Sequence, residues 1–326
     1  MTEAPRNPFL TLQAGTELSL AATDRFPAAG HLWSQPEIDA LILAWAAHRP
    51  LLVRGEAGSG KSQIARAAAK VLGSEPLLVE VIHPRFEALD LLYRLDAVER
   101  LSDAQLGRVD PTNKRYVKRG RLWDAVEQSA EGRPVPVLLI DEIDKADADV
   151  PNALLEVLGN RSFNVPPLEH RIVRAEAGRL PLIVITTNEE RELPPAFVRR
   201  CVVLNLNPPG EHDAFVDWLV ARGRVHRHLD VTDAARRHAA AQVFADRTAS
   251  MAAGYPPVGL AEYVDLLTAL NELTEASGEE ERSVIQLGWL QRLGSYALVK
   301  NADQRQDRAA VPPASEPSSA PDGGSP

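Results

Sequence analysis

A chain of 326 residues, 44% hydrophobic and 25% charged, can bury one substantial core and a second, smaller one. Its net charge of −9 argues against a sequence-independent grip on nucleic acid, which shows as a basic face. No stretch approaches the roughly 20 apolar residues that span a bilayer, the N-terminus lacks a charged-then-apolar signal pattern, and the single cysteine, Cys201, has no partner for a disulfide. A soluble chain of the reducing cytoplasm, with no membrane partner, is expected.

Residues 1–30 mix prolines with short apolar pieces and keep no period; they read as a leader wrapped on the core, with no function legible in them. At Ser34-Gln35-Pro36-Glu37 a helix start is written out, with Ser34 as cap and Glu37 three residues on to complete a capping box. Ile38, Leu41, Ile42 and Trp45 supply its buried stripe. Across 31–207 short apolar runs alternate with helical patterns, the runs being Leu51–Val53, Leu77–Ile82, Val135–Ile140, Leu182–Thr186 and Val202–Leu206. This alternation predicts an α/β domain, a parallel sheet covered by helices. Val150, Ala153, Leu154, Val157 and Leu158 form one of the helical stripes between the runs.

After Pro208-Pro209-Gly210 the pattern becomes wholly helical to about residue 302, with Phe215, Trp218 and Leu219 in one stripe and Leu260, Tyr263, Val264, Leu267 and Leu270 in another. An all-helical lid domain is expected at 208–302. Residues 303–326 are dominated by Pro, Ser, Ala, Gly and charge, too poor in large apolar groups to offset the entropy of ordering, and read as a disordered tail.

Directly after the first sheet run comes Gly55-Glu56-Ala57-Gly58-Ser59-Gly60-Lys61-Ser62, a full G-x-x-x-x-G-K-[ST] match between a strand and a helix that ends at Gly73. Glycines let such a loop curl so that its N–H groups point at phosphate oxygens, and the helix adds its positive end. Lys61 is expected to neutralise β/γ oxygens of ATP, and Ser62 to ligate Mg²⁺. The run Val137-Leu138-Leu139-Ile140 ends in Asp141 and Glu142. Beside a phosphate loop, Asp141 would hold the Mg²⁺ and Glu142 would activate the attacking water. Asp144, Lys145 and Asp147 read as a solvated helix start.

Two further stretches make the pattern specific. Leu182-Ile183-Val184-Ile185-Thr186-Thr187-Asn188 is a strand ending in a polar amide, and Leu193-Pro194-Pro195-Ala196-Phe197-Val198-Arg199-Arg200 leads into the last strand. Over residues 31 to 300 the sequence resembles the AAA+ ATPases, and within them the MoxR group. The resemblance implies that Asn188 is a sensor placing the hydrolytic water beside Glu142. It implies also that Arg200, with Arg199 as the alternative, reaches the γ-phosphate of a neighbouring copy, a task for a guanidinium that stays charged and forks onto phosphate oxygens. One departure is plain: Pro256-Pro257-Val258-Gly259-Leu260-Ala261-Glu262 carries no arginine where many relatives place a second sensor.

The insertion Phe86–Gly120 contains Lys114-Arg115-Tyr116-Val117-Lys118-Arg119. With Tyr116 and Val117 before a glycine and bases on either side, it resembles the substrate-gripping loops of AAA+ rings, and it reads equally as a hairpin strand with a solvated basic edge. The leading expectation is a hydrolase and remodelling chaperone that assembles as a homo-oligomer, a hexameric ring, and acts on a protein client, with a von Willebrand A-domain protein as partner implied by the resemblance. A slow nucleotide switch signalling to an effector is the alternative. A nucleic-acid ATPase has only the basic cluster in its favour and is not expected.

Overall fold

The computed structural model describes residues 7–129, 133–176, 179–274 and 278–297, so the tail expected at 303–326 and the first six residues of the leader lie outside the described residues. In chain order the elements of the first part are β1 (Glu17–Leu20), β2 (Ala29–Leu32), α1 (Gln35–Ala47), β3 (Leu51–Gly55), α2 (Lys61–Leu72), β4 (Leu78–Val81), β5 (Tyr93–Leu95), α3 (Ala97–Gln105), β6 (Val117–Arg119) and α4 (Arg121–Gln128). They continue with β7 (Val137–Asp141), α5 (Asp149–Asn160), β8 (Ser162–Val165), β9 (Arg171–Arg174), β10 (Leu182–Thr187), α6 (Pro195–Val198), β11 (Val202–Leu206) and α7 (His212–Arg224), and then the helices α8 (Asp233–Ala252), α9 (Leu260–Leu273) and α10 (Glu279–Ala297).

Five strands form one sheet in the order β11-β3-β10-β7-β4, every neighbouring pair parallel. The pleat explains why the sheet runs look continuously apolar. Leu52, Leu138, Ile140, Ile183 and Ile185 belong to one buried cluster, with residues of α4 and α5. Their neighbours Leu51, Val53, Val137, Leu139, Leu182 and Val184 belong to a second cluster, with α1 and α2. A strand covered on both faces has no position left for a polar alternation. On α2 the small Ala65, Ala67, Ala68 and Ala69 are all fully buried. α1 begins where expected, with the Glu37 carboxylate accepting the Ser34 N–H at 2.7 Å.

The leader is more ordered than its composition implied. Phe9 is fully buried in the α1–α2 cluster, and β1 and β2 pair as an antiparallel hairpin. Two further antiparallel pairs stand outside the sheet: β5 with β6, joined through α3, and the hairpin of β8 with β9. The first settles the basic stretch of the insertion. Tyr116 is turned inward, 0% exposed, and its hydroxyl donates to Asp103 Oδ2 at 2.9 Å. The aromatic is a core residue, not a gripping one, and Lys118 and Arg119 form the basic strand edge.

The chain divides into two compact units between His228 and Leu229. α7, expected within the lid, falls in the first unit, where Phe215 and Leu219 are fully buried and the helix lies against β2. The second unit is wholly helical among the described residues: α8, α9 and α10 bury Val243, Tyr263, Leu267, Leu270 and Leu290 against one another. The buried Gln286 ties α10 to the start of α8 by accepting the Thr232 N–H at 2.9 Å.

Candidate active site

Because the five strands are parallel, their C-terminal ends share one edge of the sheet, where open α/β sheets bind ligands. The strand order decides what meets there: β10 lies between β3 and β7, so the tip carrying Asn188 stands between the phosphate loop and the acid pair. The loop itself needs its glycines. Gly58 and Gly60 have φ of +73° and +94°, and a Cβ at Gly55 would sit 2.9 Å from the Leu206 carbonyl oxygen. Gly60 caps α2, whose first-turn N–H groups have no preceding helical carbonyl to bond. Ala57 and Gly58 are exposed at the crest, and the buried Ser59 hydroxyl has no partner among the described residues.

Around that loop the predicted residues are joined by hydrogen bonds. The Lys61 ammonium donates to the Gly55 and Glu56 carbonyls at 2.8 and 2.7 Å and to Asn188 Oδ1 at 2.7 Å. Asn188 passes the chain on, its Nδ2 donating to Glu142 Oε1 at 3.2 Å. Ser62 Oγ donates to Asp141 Oδ1 at 3.0 Å. The Lys61 side chain is 7% exposed, and burial pulls its pKa below the ordinary lysine value, against the opposing pull of Asp141, Asp144, Glu142 and Glu56.

Two participants are not legible as such from the sequence. Thr186, fully buried on β10, donates to Asp141 Oδ1 at 2.5 Å and accepts the Glu142 N–H at 2.9 Å. It reads simply as the last apolar-run residue, and only the pairing of β10 with β7 brings it to the acids. Lys145 is the second. Residues Ile143–Lys145 form a 3₁₀ turn after Glu142, which itself sits at φ 61°. That turn brings the Lys145 ammonium to 2.6 Å from Glu142 Oε2, a bond that raises the lysine pKa. Lys145 is thus a neighbour of the acid, where a solvated helix start was expected. Asp144 is likewise not solvated: it is 2% exposed and accepts the Glu190 N–H at 2.9 Å.

Arg199 and Arg200 are not brought to this cluster. Both are exposed in the turn that follows α6 and precedes β11. In the parallel register Val202 lies beside Leu51 and Leu206 beside Gly55, so the length of β11, about 13 Å at ~3.3 Å per residue, separates the arginine turn from the phosphate loop of the same chain. Cys201 is inert in this turn; burial pushes its thiol up to about 12.

The donor set suits a small hard cation. Ser62 Oγ and an Asp141 carboxylate oxygen are adjacent, and among the described residues no group of three or more His, Cys, Asp or Glu could hold a metal. One carboxylate and one hydroxyl, completed by phosphate oxygens and water, is how Mg²⁺ is held.

Residues 50–201 match the model of the family described as AAA domain (dynein-related subfamily). The chain is similar to chaperone protein ClpB 1 of Nostoc, 35% identical over 117 residues covering 34% of this chain and 11% of that protein. It is similar to ClpB of Mycoplasma genitalium, 33% identical over 135 residues covering 41% and 16%, and to a ClpA homolog of Fuscovulum blasticum, 37% identical over 137 residues covering 42% and 14%. The chain thus spans less than a fifth of the length of these relatives. Among solved structures, a Thermotoga maritima RuvB mutant aligns with a TM-score of 0.46 at 15% identity, covering 84% of this chain and 74% of that one. The fold is the AAA+ P-loop fold, a parallel five-stranded sheet with flanking helices, followed by a helical region.

Proposed function

We propose that this chain, with its AAA domain at residues 50–201, is a magnesium-dependent ATPase of the MoxR kind that works as a ring, hexameric by that resemblance, on a protein client. The observation that carries the proposal is the hydrogen-bonded set Lys61–Asn188–Glu142 beside Ser62–Asp141–Thr186 at one sheet edge. The loop 55–62 binds the triphosphate of the substrate ATP, with Lys61 against its β/γ oxygens. Ser62 and Asp141 would hold Mg²⁺, which when bound neutralises charge developing on the phosphates.

Glu142 takes the proton of the attacking water while Asn188 holds its carboxylate in place; the water oxygen bonds to the γ-phosphorus and the bond to the β–γ bridging oxygen breaks. A neighbour's Arg200, or Arg199, completes the site, since neither can reach the phosphate loop of its own chain. The similarity to Clp chaperones supports a protein client, and the MoxR resemblance supports a von Willebrand A-domain partner. A slow-turnover switch is the second reading. It is favoured by Glu142, each of whose carboxylate oxygens already accepts a hydrogen bond, one from Lys145 and one from Asn188, so that an attacking water competes with both for the remaining lone pairs.

The test is turnover and nucleotide affinity of Glu142→Gln beside the parent chain. Turnover is expected to fall about 10²- to 10⁴-fold, the scale of a lost general base, with nucleotide affinity within a few-fold. Undiminished hydrolysis by Glu142→Gln would end the proposal.

A further inference from the structure

The basic stretch 114–119 is not used by the nucleotide site, and its bases divide into two sets. Arg115 and Lys118 turn back on α3, pairing with Glu99 at 2.8 and 3.1 Å, and Arg115 also reaches Asp103 at 3.1 Å. Lys114 and Arg119 instead line a cleft of about 300 Å³ between β6 and the β8–β9 hairpin, together with Arg171, Trp123, Leu168 and Glu169. Three cations and one carboxylate, Glu169, line it, and a second carboxylate, Glu127, pairs with Arg119 and Arg171 beside it.

The cleft is built rather than incidental. Arg119 and Arg171 both lie against the Trp123 ring, 5.2 and 5.4 Å from its centroid, and Glu127 bridges them at 2.5 and 2.7 Å. A guanidinium carries five N–H donors, and these bonds use one on each, so donors remain in a fixed position for an incoming carboxylate. The Trp123 Nε1–H, in a side chain 1% exposed, has no acceptor among the described residues. Lys114 is exposed and makes no hydrogen bond or ion pair with the described residues. The two walls are tied together, Asn113 Nδ2 donating to the Pro167 carbonyl at 2.9 Å while Asn113 Oδ1 accepts from Arg100 of α3 at 3.0 Å.

We infer that this cleft docks an acidic side chain of a protein segment. A protein is favoured over nucleic acid by the net charge of −9 and by α3 of the same insertion, which exposes Val98 at 81% and Leu101 at 62%: a basic cleft and an apolar helix face suit a chain carrying acids and apolar residues. The inference rests on the reading that the protein acts on a protein client, and adds the chemistry of that client. It is independent of hydrolysis.

The experiment is fluorescence anisotropy of three labelled probes on the full chain: a twelve-residue peptide of alternating Glu and Leu, its Lys-for-Glu counterpart, and a single-stranded oligonucleotide of the same charge as the acidic peptide. The acidic peptide is expected to bind at least about tenfold more tightly than the basic one, with affinity falling as salt rises. Lys114→Glu is expected to weaken it about tenfold, whereas Arg292→Glu, the same charge change in the helical unit, leaves it within twofold. Equal binding of the acidic and basic peptides, no response to Lys114→Glu, or an oligonucleotide binding as tightly as the acidic peptide overturns the inference. The same titration on Glu142→Gln separates the two proposals, because the cleft keeps its peptide preference even if the chain proves unable to hydrolyse ATP.

Discussion

Thr186 holds the two acids of the proposed site together, bonding to the Asp141 carboxylate and to the Glu142 backbone from a fully buried position. Thr186→Val keeps the shape and removes both bonds, leaving the acid pair without its brace. ATP turnover of that variant is expected to drop about 10- to 100-fold, the usual cost of removing a group that orients a ligand or base, with nucleotide affinity little changed and Thr186→Ser restoring most of the rate. Equal turnover in the valine variant would show the hydroxyl to be only structural. Lys145 is expected to act in the opposite direction. Its side chain and that of Glu142 are about one-third exposed, so the pair is worth no more than about 1 kcal/mol. Lys145→Met removes the competing ammonium and leaves that carboxylate oxygen to the attacking water, so basal turnover in a steady-state assay is expected to rise about two- to fivefold. Both residues escaped the sequence for one reason: a threonine in an apolar run and a lysine in a polar one look ordinary until strand pairing and a 3₁₀ turn bring them to the acids.

At the scale of elements, β2, α1 and α7 meet around a buried charge cluster. A Cβ at Gly30 would lie 2.2 Å from the Val225 carbonyl oxygen, so close is β2 to the end of α7. Beside it His31, 6% exposed, has its Nε2 3.8 Å from Glu37 Oε2, too far for a hydrogen bond. Burial, with the Arg222 charge adding to it, lowers the His31 pKa from 6.5 to about 4, so the ring is neutral in the folded chain. The unfolded chain takes up this proton first as pH falls. The stability that His31 contributes is therefore complete above pH ~6.5 and is lost between there and pH ~4, about 2 kcal/mol at pH 5. Glu37, raised by burial, works in the other direction and offsets part of it. Urea midpoints are expected to fall from pH 7 to pH 5, and His31→Gln to flatten that fall; an unchanged slope in the variant would remove His31 as the cause.

For the whole molecule the decisive feature is that Arg199 and Arg200 stand at the edge of the sheet away from their own phosphate loop. If a neighbour's arginine serves each site, mixing Glu142→Gln with Arg200→Ala subunits is expected to restore a measurable fraction of turnover, because some interfaces then combine an intact Glu142 with an intact Arg200. Two inactive preparations that stay inactive when mixed and exchanged would argue against a shared site. The five sheet strands, the phosphate loop, the acid pair and Asn188 were legible in the sequence because each is a local signal: an apolar run, a glycine spacing, a polar residue at the end of a strand. The β1–β2 and β8–β9 hairpins, the inward turn of Tyr116 and the membership of α7 in the first unit were not, since each depends on what a segment finds to pair with or be buried against. Sequence by itself determined where the glycine loop lies and which polar groups end the sheet strands. The tertiary structure decided that β10 runs between β3 and β7, and so which of those groups touch, because strand order is set by packing between segments far apart in the chain and leaves no mark on any one of them.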